Sequence, residues 1–175
     1  MTTAEESVSK TKEEIIKEAK RIEEVLLYSS KGHFASAHFW GNFHLWIGVP
    51  AVLASSIAGA AALAKFDPQH TVAGVLSIAV AALSAIMTFL NPNEKVSMHL
   101  KSGNDYDSLM NQVRIFWSID CWESESEKVL TEKLKYFSEQ KDRLNHSCPQ
   151  IPKWAYKLAK KGIEDGEGDY AVDKK

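Results

Sequence analysis

Few side chains in this sequence stand where they could carry out covalent or metal chemistry. There is no Gly-x-Ser-x-Gly elbow, no His-Glu-x-x-His pair and no glycine-rich phosphate loop. Cys121 and Cys148 lie far apart, outside any Cys-x-x-Cys pattern, which fits neither a zinc ribbon nor a disulfide framework. Two unpaired thiols point to a reducing compartment. Of six histidines, His33, His38, His44 and His70 are the candidates for a metal. Their spacings of five, six and twenty-six residues place no two imidazoles on one helical turn. A pH gate is the other chemistry open to histidine, which titrates near neutrality, but nothing in the sequence singles out a residue for it. No catalytic, cofactor-binding or metal-ligating residue is therefore assigned, and the chain reads as a non-enzyme.

The remaining polar groups of interest are hydroxyls in apolar surroundings: Ser55, Ser56, Ser77, Ser84 and Thr88. They have two readings. One is close helix packing with hydrogen bonds back to the helix itself. The other is the lining of a pore, which needs several copies because a two-helix hairpin encloses no channel.

These residues sit in the two stretches that organise the chain. Phe43–Ala64 and Val72–Leu90 contain no Lys, Arg, Asp or Glu, and the break between them, 65–71, carries Lys65 and Asp67. Each run is about 20 residues, enough to span a roughly 30 Å hydrocarbon core as a helix. The short break makes the helices antiparallel neighbours, so the sequence predicts a transmembrane hairpin. A hairpin buried in a soluble bundle is disfavoured by the flanks. Phe39, Trp40, Phe43 and Trp46 crowd the start of the first run and Phe89 closes the second, as aromatics at a membrane interface do. His38 and His44 join them as amphipathic anchors. Small residues recur every four positions: Ala51, Ser55 and Gly59, then Ala54, Ala58 and Ala62, and in the second run Ala73, Ser77, Ala81 and Ala85. Such faces let helix backbones approach closely in lipid. Pro50 removes one helical hydrogen bond and is expected to kink the first run.

The flanks are charged. The 175-residue chain has 21 Lys and Arg against 23 Asp and Glu, for a net charge of -2, which gives no case for nucleic acid as a partner. Outer-flank Lys20, Arg21, Lys31, Lys95, Lys101 and Arg114 place both termini in the cytoplasm by the positive-inside rule. Residues 1–42 form an N-terminal amphipathic helix, with Val8, Ile15, Ile22 and Ser29 seven apart and Ala19 and Leu26 between them. Its stripe weakens after Tyr28, and Gly32 and Gly41 are expected to break or bend it. Asn91-Pro92 ends the second run. Residues 91–165 hold further helices. The first has Val96, Leu100, Gly103, Tyr106, Met110, Val113 and Trp117 on one face. The next, about 123–145, has Leu130, Leu134, Phe137 and Leu144, and a last one, 153–161, ends at Gly162. Ile15, Ile22, Leu26, Leu100, Met110 and Val113 are the candidates for a coiled-coil stalk that also drives oligomerisation. Residues 166–175 read as a flexible acidic tail. The fold class is thus all-α, a membrane hairpin with long cytoplasmic helices.

This layout resembles the SLATT family, bacterial two-transmembrane effector domains of conflict systems. The resemblance runs from about Ile15 to Tyr170. It is carried by YSSKGHFASAHFW, Gly48-Val49-Pro50, Asn91-Pro92 and IPKWAYKLAKKGIEDGE. It implies a homo-oligomeric effector of the inner membrane that forms pores or disrupts the bilayer. Activation would come from a phage-sensing partner, such as a nucleotide-second-messenger synthase or a reverse transcriptase. The competing expectation is a non-toxic membrane anchor that tethers a cytoplasmic partner.

Overall fold

A computed structural model describes residues 2–63, 71–123, 126–170 and 172, with side chains from Lys10 onward. The predicted loop 65–71, up to its last residue, and the side chain of Val8 lie outside the described residues. So do the last positions of the tail, apart from Val172. Five α-helices follow in order: α1 Thr2–Leu63, α2 Thr71–Leu90, α3 Pro92–Ser118, α4 Glu127–Ser147 and α5 Lys153–Glu164, with a 3₁₀ turn at Asp120–Trp122. No strand occurs among the described residues. Two compact units result, Met1–Ser36 with Met98–Lys175, and Ala37–Ser97.

The first unit is built on a heptad seam. Ile15, Ala19, Ile22 and Leu26 of α1 are buried with Tyr106, Leu109, Met110, Val113 and Phe116 of α3, Cys121 of the 3₁₀ turn, and Leu130 and Phe137 of α4. The steps of three and four residues turn these side chains to one side of each helix. Fully burying a side chain such as Leu26, Val113 or Leu130 contributes about 1.5–3 kcal/mol. The Phe116 and Phe137 rings pack with centroids 5.3 Å apart. Ion pairs on the outside of α1, such as Arg21 with Glu18 at 2.8 Å, are exposed and add little.

Three local expectations change. First, α1 is unbroken at Gly32 and Gly41. Gly32 serves close approach instead: a Cβ there would lie 2.9 Å from the Ile151 side chain. Second, α5 runs through Gly162 to Glu164. Its stop is a Schellman turn around Gly166, whose φ of 94° suits glycine. The Gly166 N–H donates to Ile163 O at 3.0 Å and the Glu167 N–H to Gly162 O at 2.9 Å. Third, the start of the tail is tied down. Lys31 Nζ donates to Glu167 O at 3.3 Å, and the Arg114 guanidinium lies 4.5 Å from the Tyr170 ring centre.

The second unit holds the two apolar runs. Ala58 and Ala61 of α1 and Ala73 of α2 are its buried apolar positions within these runs. Half-buried residues extend the same faces: Ile47, Ala51 and Ala54 on α1, and Leu76, Val80, Leu83, Met87 and Leu90 on α2. The α2 face therefore steps by three and four through larger residues, rather than following the expected line Ala73, Ser77, Ala81 and Ala85. α2 and α3 meet through one residue. Asn91 takes φ 42°, its N–H donates to Met87 O at 3.0 Å, and its carbonyl accepts from Lys95 N at 3.3 Å. Asparagine tolerates the left-handed region, and Pro92 then starts α3 at a position where no N–H is required.

Candidate functional site

Two places in the molecule carry features that packing alone does not explain. The first is the outside of the apolar helices. Both are long and apolar enough to cross a membrane, and only 11% and 6% of the residues in their most apolar stretches are buried. A core helix of a soluble protein would show the reverse. Leu45, Val49, Val52, Leu53, Ile57 and Leu63 of α1 and Val75, Ile78 and Ile86 of α2 are all exposed. Ser55, Ser77, Ser84 and Thr88 are exposed as well, so they face away from the partner helix. The Thr88 hydroxyl donates to Ser84 O at 2.9 Å, and Ser56 likewise to Val52 O. On α2 the small residues Gly74, Ser77, Ala81, Ser84 and Thr88 form a stripe of their own. It lies one residue, about 100° of helix, from the half-buried face. No side chain comes within 4 Å of where a Cβ on Gly74 or Gly59 would sit.

The aromatic flank is ordered on one side. Trp40 stacks edge-on against Phe39 and Phe43, and Lys95 Nζ stands 5.0 Å over the Trp40 ring. Trp46 and Phe89 project outward, 79% and 87% exposed. His38 Nε2 lies 2.9 Å from Asn42 Nδ2, a bond within one turn. His44 Nδ1 is buried without a hydrogen-bond partner. His70 lies outside the described residues.

The second place is the end of the α1–α3 seam within the first unit. The buried stripe does not fade after Leu26; it turns polar. Ser30, His33 and Ser36 continue it on α1, and His99 and Ser102 on α3, all buried. His33 Nδ1 and His99 Nδ1 are 2.9 Å apart. Tyr106 stacks on the His33 ring at 5.4 Å between centres, and its hydroxyl donates to Asn145 Oδ1 at 2.9 Å. The serines satisfy themselves on their own helices, Ser30 on Leu27 O, Ser36 on Gly32 O and Ser102 on Met98 O. Gly103 lets the helices close in, because a Cβ there would meet the Phe34 ring at 2.6 Å. Burial, then the neighbouring His99, lowers the His33 pKa from 6.5 to about 4. Burial, then Cys148, raises that of Tyr106 to about 12.

Sequence reasoning missed this pair. It weighed histidines along one helix, whereas His33 and His99 are 66 residues apart and meet across two. Their matching heptad positions were the available signal. Leu100, assigned to the stalk, is 43% exposed; its neighbour His99 takes the buried position. Ile15, Ile22, Leu26, Met110 and Val113 lie inside the single-chain core, so their side chains are occupied within one molecule. An open cleft of about 740 Å³ lies between Glu23, Arg114, Trp117, Ser118 and the tail residues Gly168–Tyr170 and Val172. Its Trp117 Nε1–H donates to Glu23, and Lys20 Nζ covers the Trp117 ring at 4.4 Å. Among the described residues, no three of His, Cys, Asp and Glu gather as a metal site. No known family, curated protein or solved structure matches this chain.

Proposed function

We propose that this protein is an effector of the bacterial inner membrane. It inserts α2 and the apolar part of α1 as a hairpin, with both termini in the cytoplasm, and self-associates to form a pore or to perturb the bilayer. The observation that carries the membrane reading is the exposure of large apolar side chains around both helices, without one charged residue in Phe43–Leu63 or Val72–Leu90. Lipid is the solvent that makes such a surface stable, since helices satisfy their own backbone groups there. The outward small stripe of α2 supports self-association, because close backbone approach holds helices together in lipid. The toxic, defence-related part of the reading rests on the SLATT-like segments. Its activating partner would be a second-messenger synthase or a reverse transcriptase.

Triggered expression in bacteria, with ion and dye leakage followed beside growth, tests the proposal. Leakage from the wild type is expected, reduced in Ser84→Leu, which adds an apolar constriction, and altered in ion selectivity in Ser84→Asp. Membrane localisation without leakage or growth arrest under any trigger would instead make the protein an anchor for a cytoplasmic partner. Leakage insensitive to Ser55, Ser77 and Ser84 would move the conducting face elsewhere.

A further inference from the structure

The membrane proposal gives no role to the charges of the second unit. Among its described residues, Lys95 is the one Lys or Arg and Glu94 the one acid. Glu94 is exposed, and its Oε2 accepts from Asn91 Nδ2 at 2.5 Å. Lys95 is half-buried, and among the described residues no carboxylate pairs with it. Its ammonium lies instead 5.0 Å from the centre of the Trp40 ring. An aromatic face attracts the cation but gives its N–H groups no lone pair to bond. A half-buried ammonium in that state calls for an anion.

Two helices bring the lysine and the indole together. A Cβ on Gly41 of α1 would stand in ordinary contact with Val96 of α3, 3.9 Å away. Trp40 and Lys95 each lie one residue before that contact. Phe39 and Phe43 meet Trp40 edge-on, with ring centres 5.5 and 5.6 Å from its own, and fix its plane. The Trp40 indole N–H is half-buried and has no acceptor among the described residues. Two donors of different kinds therefore meet with nothing to accept from them. Trp40 precedes the charge-free run at Phe43 by three residues, and Lys95 follows Leu90 by five. Both stand about a turn from where the apolar surface stops.

We infer that Lys95 and Trp40 bind the phosphate of an anionic phospholipid headgroup at the cytoplasmic face of the membrane, an inference that rests on the hairpin proposed above. The phosphate oxygens supply the acceptors that both donors lack, and their charge supplies the counter-ion for Lys95. The lipid chains are what place that phosphate at the edge of the apolar surface, where a dissolved anion has nothing to hold it. A zwitterionic lipid brings its own ammonium to the phosphate, so it gains less from Lys95. Bound there, one lipid bridges α1 and α3 at the foot of the hairpin.

The test counts the lipid that stays bound when the full-length protein is released into a mass spectrometer. The source is nanodiscs holding equal phosphatidylglycerol and phosphatidylcholine. Retained phosphatidylglycerol is expected to exceed phosphatidylcholine by about tenfold, as a charge-assisted hydrogen bond allows. Lys95→Gln should bring the ratio close to one and Lys95→Arg should keep it high. Trp40→Phe, which removes the indole N–H, should lower it, while Lys101→Gln on the exposed side of α3 should not. A wild-type ratio near one overturns the site, as does a ratio that survives Lys95→Gln. Should Lys95→Gln fail to fold, equal ratios for Trp40→Phe and Lys101→Gln overturn it. Release of the lipid by excess inorganic phosphate would assign the site to a soluble anion and end the lipid reading. A chain that never enters the nanodiscs overturns the hairpin and this site with it. One that enters and shows no preference overturns the site alone.

Discussion

His33 ties one ring to the stability of a whole helical unit. Its pKa is lowered in the folded state, so the unfolded chain takes up the proton first. Stability is therefore expected to be full above about pH 6.5 and to fall through the window down to about pH 4, by about 3 kcal/mol in all. Chemical denaturation followed at several pH values checks this, and His33→Asn should flatten the slope in that window. A second residue-scale expectation concerns the close approach beside the pair. Gly103→Ala drives a methyl group into the Phe34 ring and should cost about 1–3 kcal/mol. Gly74→Ala meets nothing within 4 Å and should leave thermal stability unchanged or slightly raised, as alanine favours helix. Equal losses at both glycines would remove the packing explanation.

At the scale of elements, the junction of α2 and α3 hangs on a backbone angle. Asn91 at φ 42° tolerates glycine but not a β-branched side chain. Asn91→Val should therefore lower stability by about 1–2 kcal/mol and Asn91→Gly by much less, measured by thermal unfolding in detergent. The seam makes a firmer claim. Ile22→Asp puts a carboxylate among Leu26, Val113 and Phe116, and should unfold the first unit rather than merely separate copies. Loss of helical signal distinguishes the two outcomes.

These elements also show where sequence pattern is informative. The apolar runs and the Asn91-Pro92 stop are local signals, as is the α4 face through Leu130 and Phe137, and each was legible. The polar end of the seam was not, because hydrophobic periodicity passes over Ser30, His33, His99 and Ser102 even when they occupy core positions. The α5 terminus was misplaced because Gly162 and Gly166 look alike in sequence. Only Gly166 takes the positive φ. Nor does an acidic tail reveal in advance that Lys31 and Arg114 will hold Glu167 and Tyr170.

For the molecule as a whole, the proposed hairpin predicts on which side of a membrane each part lies. A reporter active only outside the cytoplasm should work when inserted at Gln69 and fail at either end of the chain. Purification as a detergent-independent soluble monomer would overturn the hairpin. Within the helical unit the chain also carries its own gauge of local opening. Cys121 is fully buried in the core cluster, whereas Cys148 is half-buried. A membrane-permeant thiol reagent should thus modify Cys148 quickly and Cys121 at a rate set by transient opening of the core. Where reclosing outpaces modification, the ratio of those two rates tracks changes in the opening free energy. Two native sulfur atoms then suffice to follow, in living cells and without any added label, when this unit loosens.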